Sequence, residues 1–286
     1  MKKFIYTLVS IVIVLFISDR YLASIVKGSD THNLLKKQIA CSGILCDIVD
    51  FSAGVMAEHG IQTERVFMDN AVNILHAVND GSVDAALGVH EKFLAYFNEK
   101  NNAHLVMVKP YPFTTGIGLY SEKYHSLADF PVGAKIAIMN DAMNMDRALT
   151  MLQQAGLIIL DANKKSNYSL LDIIENPRKI TFIDVDQTQT VSALPDLDGA
   201  VAFFTHIYNA GKQVNSYIIR DKDAQQFPIG FVVKRENAKL QWAKLLADSV
   251  STQSVRESVQ NKFNGVFDYY KYSKCGFGVV ISVIGF

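Results

Sequence analysis

The side chains best suited to chemistry stand between Lys135 and Leu157, in the stretch KIAIMNDAMNMDRALTMLQQAGL. Arg147 carries a planar guanidinium that can grip a carboxylate through two parallel hydrogen bonds. Asn140, Asp141 and Asn144 precede it as a polar turn. The flanking pattern supplies what must position them. Ile136 to Met139 is a short apolar run between polar residues, the pattern of a buried parallel strand. Ala148, Leu149, Leu152 and Ala155 then fall on one helix face, and Gly156 stands where a C-terminal cap belongs. The unit is strand, tight loop, helix N-terminus, with Arg147 expected in the first helical turn. Such a helix end presents unpaired N–H groups and a partial positive charge, and so attracts anions. The same pattern also suits an ordinary strand–helix connection whose Arg faces solvent.

A second group lies earlier. Val83 to Val89 has the pattern of a strand, and His90 and Phe93 follow at its carboxyl end, where ligands lie in open α/β sheets. The alternative for His90 is a loop histidine with its hydrogen bonds satisfied locally.

The surrounding elements alternate. Gln38 to Ser42 is expected as a first strand, Ile48 to His59 as a helix capped by Gly60, and Gln62 to Phe67 as the next strand. Val72 to Asn79 follows as a helix with Gly81 as its cap, and Lys92 to Phe97 begins another. This order implies a parallel sheet covered on both faces. His104 to Val108 and Gly116 to Ser121 are expected as strands around the Pro110-Tyr111-Pro112 turn, the first crossing between two lobes. Ile180 to Val185 is a strand, Gln187 to Leu194 a helix stopped by Pro195, and Gly199 to Phe204 a strand. Thr205 is expected to cap the short helix after it, closed by Gly211. Ile229 to Val233 makes the return crossing, and Leu240 to Phe263 a final amphipathic helical region. Two βα lobes joined by two strands form a hinged clamp.

Composition narrows the function. Of 286 residues, 28 are basic and 28 acidic, with no basic stripe, so nucleic acid is not an expected partner. Three cysteines stand in no metal-binding spacing, and neither metal nor cofactor is expected. There is no G-x-S-x-G elbow, phosphate loop, dinucleotide fingerprint or HExxH, and His90, His125 and His206 have no nucleophile at a suggestive spacing. An enzyme is not expected. Cys41 and Cys46 would lie outside the cytoplasm, where a disulfide is permitted, but two buried free thiols are the expected state. Cys275 has no assignment.

At its amino end, Lys2 and Lys3 precede an apolar run from Phe4 to Ile17, as in an export signal. As a helix this run spans about 21 Å, short of a roughly 30 Å bilayer core. It carries no small-x-small cleavage site, so an uncleaved N-terminal membrane anchor is expected, with ordinary signal cleavage the alternative. Past Gly265 the chain is crowded with aromatics, and Phe277 to Phe286 is almost wholly apolar; an added strand, a sticky tail or the product of a shifted reading frame would each fit.

The runs Gly118-Leu119-Tyr120-Ser121, Ser126-Leu127, Ile136-Ala137-Ile138-Met139-Asn140-Asp141, Asn144, Arg147-Ala148-Leu149, Gln153 and Ala155-Gly156-Leu157-Ile158 resemble the NlpA/MetQ family, the substrate-binding proteins of bacterial methionine ABC importers. Leu171-Asp172-Ile173, Glu175-Asn176-Pro177, Leu197-Asp198 and Ala200-Val201 extend the likeness over most of Gln38 to Gly265. The resemblance implies a two-lobed α/β fold of the periplasmic-binding-protein type II class, each lobe a mainly parallel sheet flanked by helices, with two hinge crossings. The organisation expected is a signal or anchor over 1–26, a linker over 27–35, lobe 1 over 36–113 plus 235–265, lobe 2 over 114–234, and an apolar tail over 266–286. It also implies a lipobox cysteine soon after the apolar run; there is none, since Cys41 is too far downstream and follows Lys36-Lys37.

The resemblance further implies an amino-acid-like ligand in the cleft (methionine or a derivative, D-methionine, or a short peptide), a permease partner, and a place at the periplasmic face of the cytoplasmic membrane. Charged hydrogen bonds worth about 1.5–3 kcal/mol each decide the binding of a micromolar ligand, about 8 kcal/mol in all. Arg147 and Asn144 match the family's anchors and His90 its pocket histidine, while Phe93 stands where the family has Tyr. Gly88 replaces an aromatic wall, Asn70 falls where a tyrosine is expected, and Phe203 and Gly230 each replace an Asn. Gly88 and Gly230 would open space, Phe203 would remove a polar partner, and Thr205 completes the candidate set. Asp146, beside Arg147, would repel a ligand carboxylate. The departures leave a second expectation open, an anchored interaction protein on a binding-protein scaffold whose pocket has degenerated.

Overall fold

A computed structural model describes residues 34–272 and the strand 281–283. The expected anchor and Cys275 lie outside the described residues. Lobe 1 opens with β1 (Leu35–Cys41), whose side chains alternate across the sheet: Ile39 and Cys41 enter one core and Ala40 the opposite one. Three βα steps follow: α1 (Leu45–Glu58) and β2 (Ile61–Phe67), α2 (Ala71–Asp80) and β3 (Ala85–Leu87), α3 (Glu91–Asn101) and β4 (Leu105–Met107). The chain crosses through β5 (Phe113–Thr115) into lobe 2, which contains β6 (Ile117–Tyr120), β7 (Lys135–Met139) and α4 (Ala142–Gln154). A small ribbon of β8 (Ile159–Leu160) and β9 (Ile173–Glu175) leads to β10 (Thr181–Val185), β11 (Gly199–Phe203), α5 (Phe204–Asn209) and β12 (Ile219–Arg220). The return crossing ends in β13 (Val232–Lys234), followed by α6 (Gln241–Ser249), α7 (Gln253–Lys262), β14 (Phe267–Tyr272) and β15 (Ile281–Val283).

The two large sheets run β2-β1-β3-β13-β4 and β10-β7-β11-β6-β12. In the first, only β13 is antiparallel to its neighbours; in the second, only β6 is. Each reversed strand is the one the chain makes on entering that lobe, so the two lobes share one design. Apolar runs of strand length fill both faces, as expected when helices cover each side. Ile136 and Ile138 point into the lobe 2 core, while Ala137 points to a core that continues beneath the hinge to α1, α6 and α7.

Where the crossings pass, three segments lie side by side. Phe113 bridges Ile229 of the return crossing, and β5 also pairs with β14, Phe267 opposite Thr115 and Tyr269 opposite Phe113. The start of the C-terminal stretch is therefore a strand added to the hinge.

Several expectations are corrected. Gln187 to Leu194 makes no helix beyond one 3₁₀ turn at Gln187–Gln189, capped by the Asp186 side chain at the Thr188 N–H; the Thr190 hydroxyl then donates back to the Gln187 carbonyl and the segment continues as turns. The final helical region breaks into α6 and α7 around Ser251 and Thr252, where the Thr252 hydroxyl donates to Ser249. Cys41 and Cys46 are not free thiols: the end of β1 and the first turn of α1 bring their Cα atoms within 5.1 Å, and they form a disulfide. Arg147 sits in the second turn of its helix, since α4 starts at Ala142 with Asp141 as its cap.

Asn70 caps α2: its side-chain oxygen accepts from Val72 and Asn73. Asn70→Ala is expected to cost about 1 kcal/mol, the usual value of such a cap, measured as a lower urea midpoint with an unchanged slope.

Candidate functional site

The carboxyl ends of the strands in both lobes face one another across a cavity of about 200 Å³. This is smaller than the roughly 300–1,000 Å³ of drug-sized sites and suits a ligand of few atoms. Lobe 1 supplies Ser42, Gly43, Phe67 and Asp69 from the ends of β1 and β2, then Gly88, His90 and Phe93 after β3. Lobe 2 supplies Asn144, Phe203, Thr205, His206 and Asn209, with Gln187 and Thr188 from the turn after β10. Thr115 and Ile229 complete the wall at the hinge. Six of the nine residues expected from sequence line this space: His90, Phe93, Gly88, Asn144, Phe203 and Thr205.

The other three lie elsewhere. Asn70 spends its side chain on the α2 cap. Gly230 is off the lining, and a Cβ there would meet Met107 and Tyr111 at 3.1–3.4 Å, so it opens no ligand space. Even at Gly88 the side-chain direction is occupied, by Ile74 at 3.1 Å. Arg147 stands behind the wall and is 3% exposed. Its Nε and Nη2 donate to one oxygen of Asp221 at 2.9 and 2.5 Å, and Nη2 also donates to the Thr115 carbonyl at 2.8 Å. Phe227 covers the guanidinium at 4.1 Å. Burial works against the charge on Arg147, and the Asp221 carboxylate offsets this. Among the described residues, Nη1 takes no hydrogen-bond partner. Arg147 thus ties α4 to both crossings, through Thr115 on one and Asp221 on the other.

A polar chain links the lobes. The His90 Nδ1 accepts from the Phe93 N–H at 3.1 Å, so the proton resides on Nε2, which donates to the Asn144 side-chain oxygen at 3.2 Å. The Asn144 amide donates in turn to Asp141 at 2.9 Å. Both ends of Asn144 are therefore engaged, and Asp141, accepting the Asn144 N–H at 3.0 Å, already occupies the tip of α4. Burial raises the Asp141 carboxyl above its ordinary value. Asp146 turns to the Tyr168 N–H at 2.8 Å.

Ser42, Gly43, Phe67, Asp69, Thr115, Gln187, Thr188, His206 and Asn209 carried no site-specific sequence pattern. The strand-end rule that selected His90 would also have selected residues 42–43 and 67–69. Asn209, His206 and the 187–188 turn become neighbours of the cavity only through tertiary packing.

Burial pushes His90 down to about 3, with Arg147 adding to the effect, and pushes His206 down to about 4. Both imidazoles are neutral in the fold, whereas in the unfolded chain they titrate near 6.5. As pH falls from 6.5 towards those values the unfolded state binds more protons, so stability falls with pH. The melting temperature is expected to drop between pH 6.5 and 5, and His206→Gln to flatten that slope. A wild-type melting temperature constant over this range would contradict the buried neutral state.

Comparison with known proteins follows the geometry. The family model described as NlpA lipoprotein matches residues 43–268. The chain is 30% identical over 246 residues to Lipoprotein 28 of Escherichia coli O157:H7, covering 83% of this chain and 90% of that protein. It is 29% identical over 226 residues to the probable D-methionine-binding lipoprotein MetQ of Haemophilus influenzae, covering 78% and 82% respectively. A solved nutrient binding protein from Burkholderia cenocepacia, bound to methionine, superposes with a TM-score of 0.77 at 26% identity, over 82% of this chain and 99% of that one. Among the described residues no helix is long and apolar enough to cross a membrane. With a matching model over well more than half its length, two hinged α/β lobes and a cavity between them, the chain belongs to the NlpA lipoprotein family, exported envelope-associated binding proteins and not enzymes.

Proposed function

We propose that this chain is the binding subunit of an ABC importer, taking a small zwitterionic amino acid, methionine or a close derivative, between its lobes, with a membrane permease as its partner. The observation that carries the reading is the charge layout around the cavity. Asp69 is the acidic side chain on the lining and belongs to lobe 1, while Arg147 stands behind the lobe 2 wall, paired with Asp221. An ammonium group finds its partner in Asp69, and a carboxylate on the opposite, lobe 2 side lies towards the Arg147 guanidinium, whose charge Asp221 offsets in part. Phe67, Phe93 and Phe203 supply apolar surface for a thioether side chain. The relatives named as D-methionine-binding proteins support D-methionine, and the solved relative bound to methionine supports methionine more generally.

Calorimetry with L-methionine, D-methionine and methionine amide tests this. At least one enantiomer is expected to bind in the micromolar range, about 8 kcal/mol, and the amide at least tenfold more weakly. Absence of binding by both enantiomers would sink the reading. A second reading, an envelope-tethered interaction protein on a degenerate binding scaffold, is favoured by the Asp221 carboxylate, which already engages Arg147. It predicts that protein purified under native conditions carries no small molecule detectable by mass spectrometry.

A further inference from the structure

The Cys41–Cys46 disulfide spans the loop between β1 and α1, and that loop is part of the cavity wall. Ser42, Gly43 and Leu45 all line it. Backbone bonds hold the loop lightly, from Leu45 N–H to the Ser42 carbonyl and from Cys46 N–H to the Gly43 carbonyl. The other long helices that begin at the cleft are fixed by a side-chain cap: Asn70 for α2, His90 for α3, Asp141 for α4. Helix α1 has no such cap, because Ile44 occupies the position. Its first turn carries the disulfide instead.

The same loop is where the opposite lobe arrives. Gly43 has φ +48°, and a Cβ placed on it would lie 2.3 Å from the Asn209 Nδ2 at the end of α5. Asn209 also lines the cavity. The backbone of one lobe thus receives a side chain of the other directly, and the left-handed conformation at Gly43 that allows this belongs to the shape of the loop.

We infer that the Cys41–Cys46 disulfide is a positioning element of the binding site, holding the Ser42–Leu45 loop in the form onto which α5 closes around a ligand. The loop-shape part stands on the geometry; the affinity part rests on the methionine reading. The test compares wild type with Cys41→Ala/Cys46→Ala, and with Cys46→Ser alone in case the double variant does not fold. Hydrogen exchange of ligand-free protein is expected to accelerate at least tenfold in peptides covering residues 42–48 and to stay unchanged in β7 and α4. Unchanged exchange over residues 42–48 overturns the inference. So does uniform acceleration throughout the chain, which would mark general stabilisation only. With L-methionine and D-methionine as probes, the bound enantiomer is expected to bind the variant at least tenfold more weakly, through faster dissociation; equal affinity overturns the inference. If wild type binds neither enantiomer, the methionine reading fails, and the exchange comparison still decides the role of the disulfide.

Discussion

Asp221→Ala is expected to destabilise the fold by about 3–5 kcal/mol, the usual cost of leaving one partner of a buried ion pair without the other. Arg147 and Asp221 are nearly inaccessible, with side chains 2% and 4% exposed. Asp221 does more than neutralise: its second oxygen accepts the Ile117 N–H at 3.1 Å, at the start of β6. The alanine variant therefore strands a guanidinium and a backbone donor together. Asp221→Asn keeps an acceptor for Ile117 and is expected to cost less. Arg147→Met/Asp221→Leu, which removes both charges, is expected to cost less than Asp221→Ala alone, because no buried charge remains unpaired. Urea unfolding of the variants measures all of this. Additive single and double effects would show that the two groups do not act as a pair.

Phe113→Ala is expected to lose about 3–5 kcal/mol, as full-size aromatic deletions in cores do. Phe113 has no exposure, and its ring lies 4.8 Å from Phe267 and 5.6 Å from Tyr269. It stands where the two crossings and the added C-terminal strand meet, so the void cannot be refilled without moving the hinge. A urea midpoint close to wild type would mean that the three segments at this point do not pack as one unit. Phe267→Leu, which keeps most of the volume, is expected to cost under about 1.5 kcal/mol.

Much of the architecture was legible because β-length apolar runs and 3.6-residue periodicity alternate clearly. Ile136 to Met139 placed β7 to within one residue, Ala148 to Leu152 placed the body of α4 but not its start, which lies earlier at Ala142, and Gly81 ends α2 with φ +90° where a cap was expected. The 187–194 segment misled because the Asp186 cap starts a turn there as a helix would, while the Thr190 hydroxyl takes the Gln187 carbonyl and the segment continues as turns before Pro195. The disulfide was obscured because sequence spacing alone does not fix the distance between a strand end and a helix start. At the site, strand-end positions such as His90 could be read directly. Asp221 could not, since nothing near it in sequence marks it as the partner of a residue 74 positions earlier. A side chain's role as counter-ion is set by where two crossings converge, a property of the fold and not of any local run.

The reversed strands have a consequence for how the molecule is made. Strand β4 reaches the first sheet only through β13, which the chain supplies after residue 231. Lobe 2, by contrast, is built entirely from β6 to β12, an unbroken stretch. Although synthesis starts with lobe 1, its sheet stays incomplete, with β4 lacking its neighbour, until the second half of the protein has emerged. The later lobe's sheet is thus the first able to close, and the earlier one assembles around a partner strand delivered last, while the core joining Ala137 to α6 and α7 waits for both.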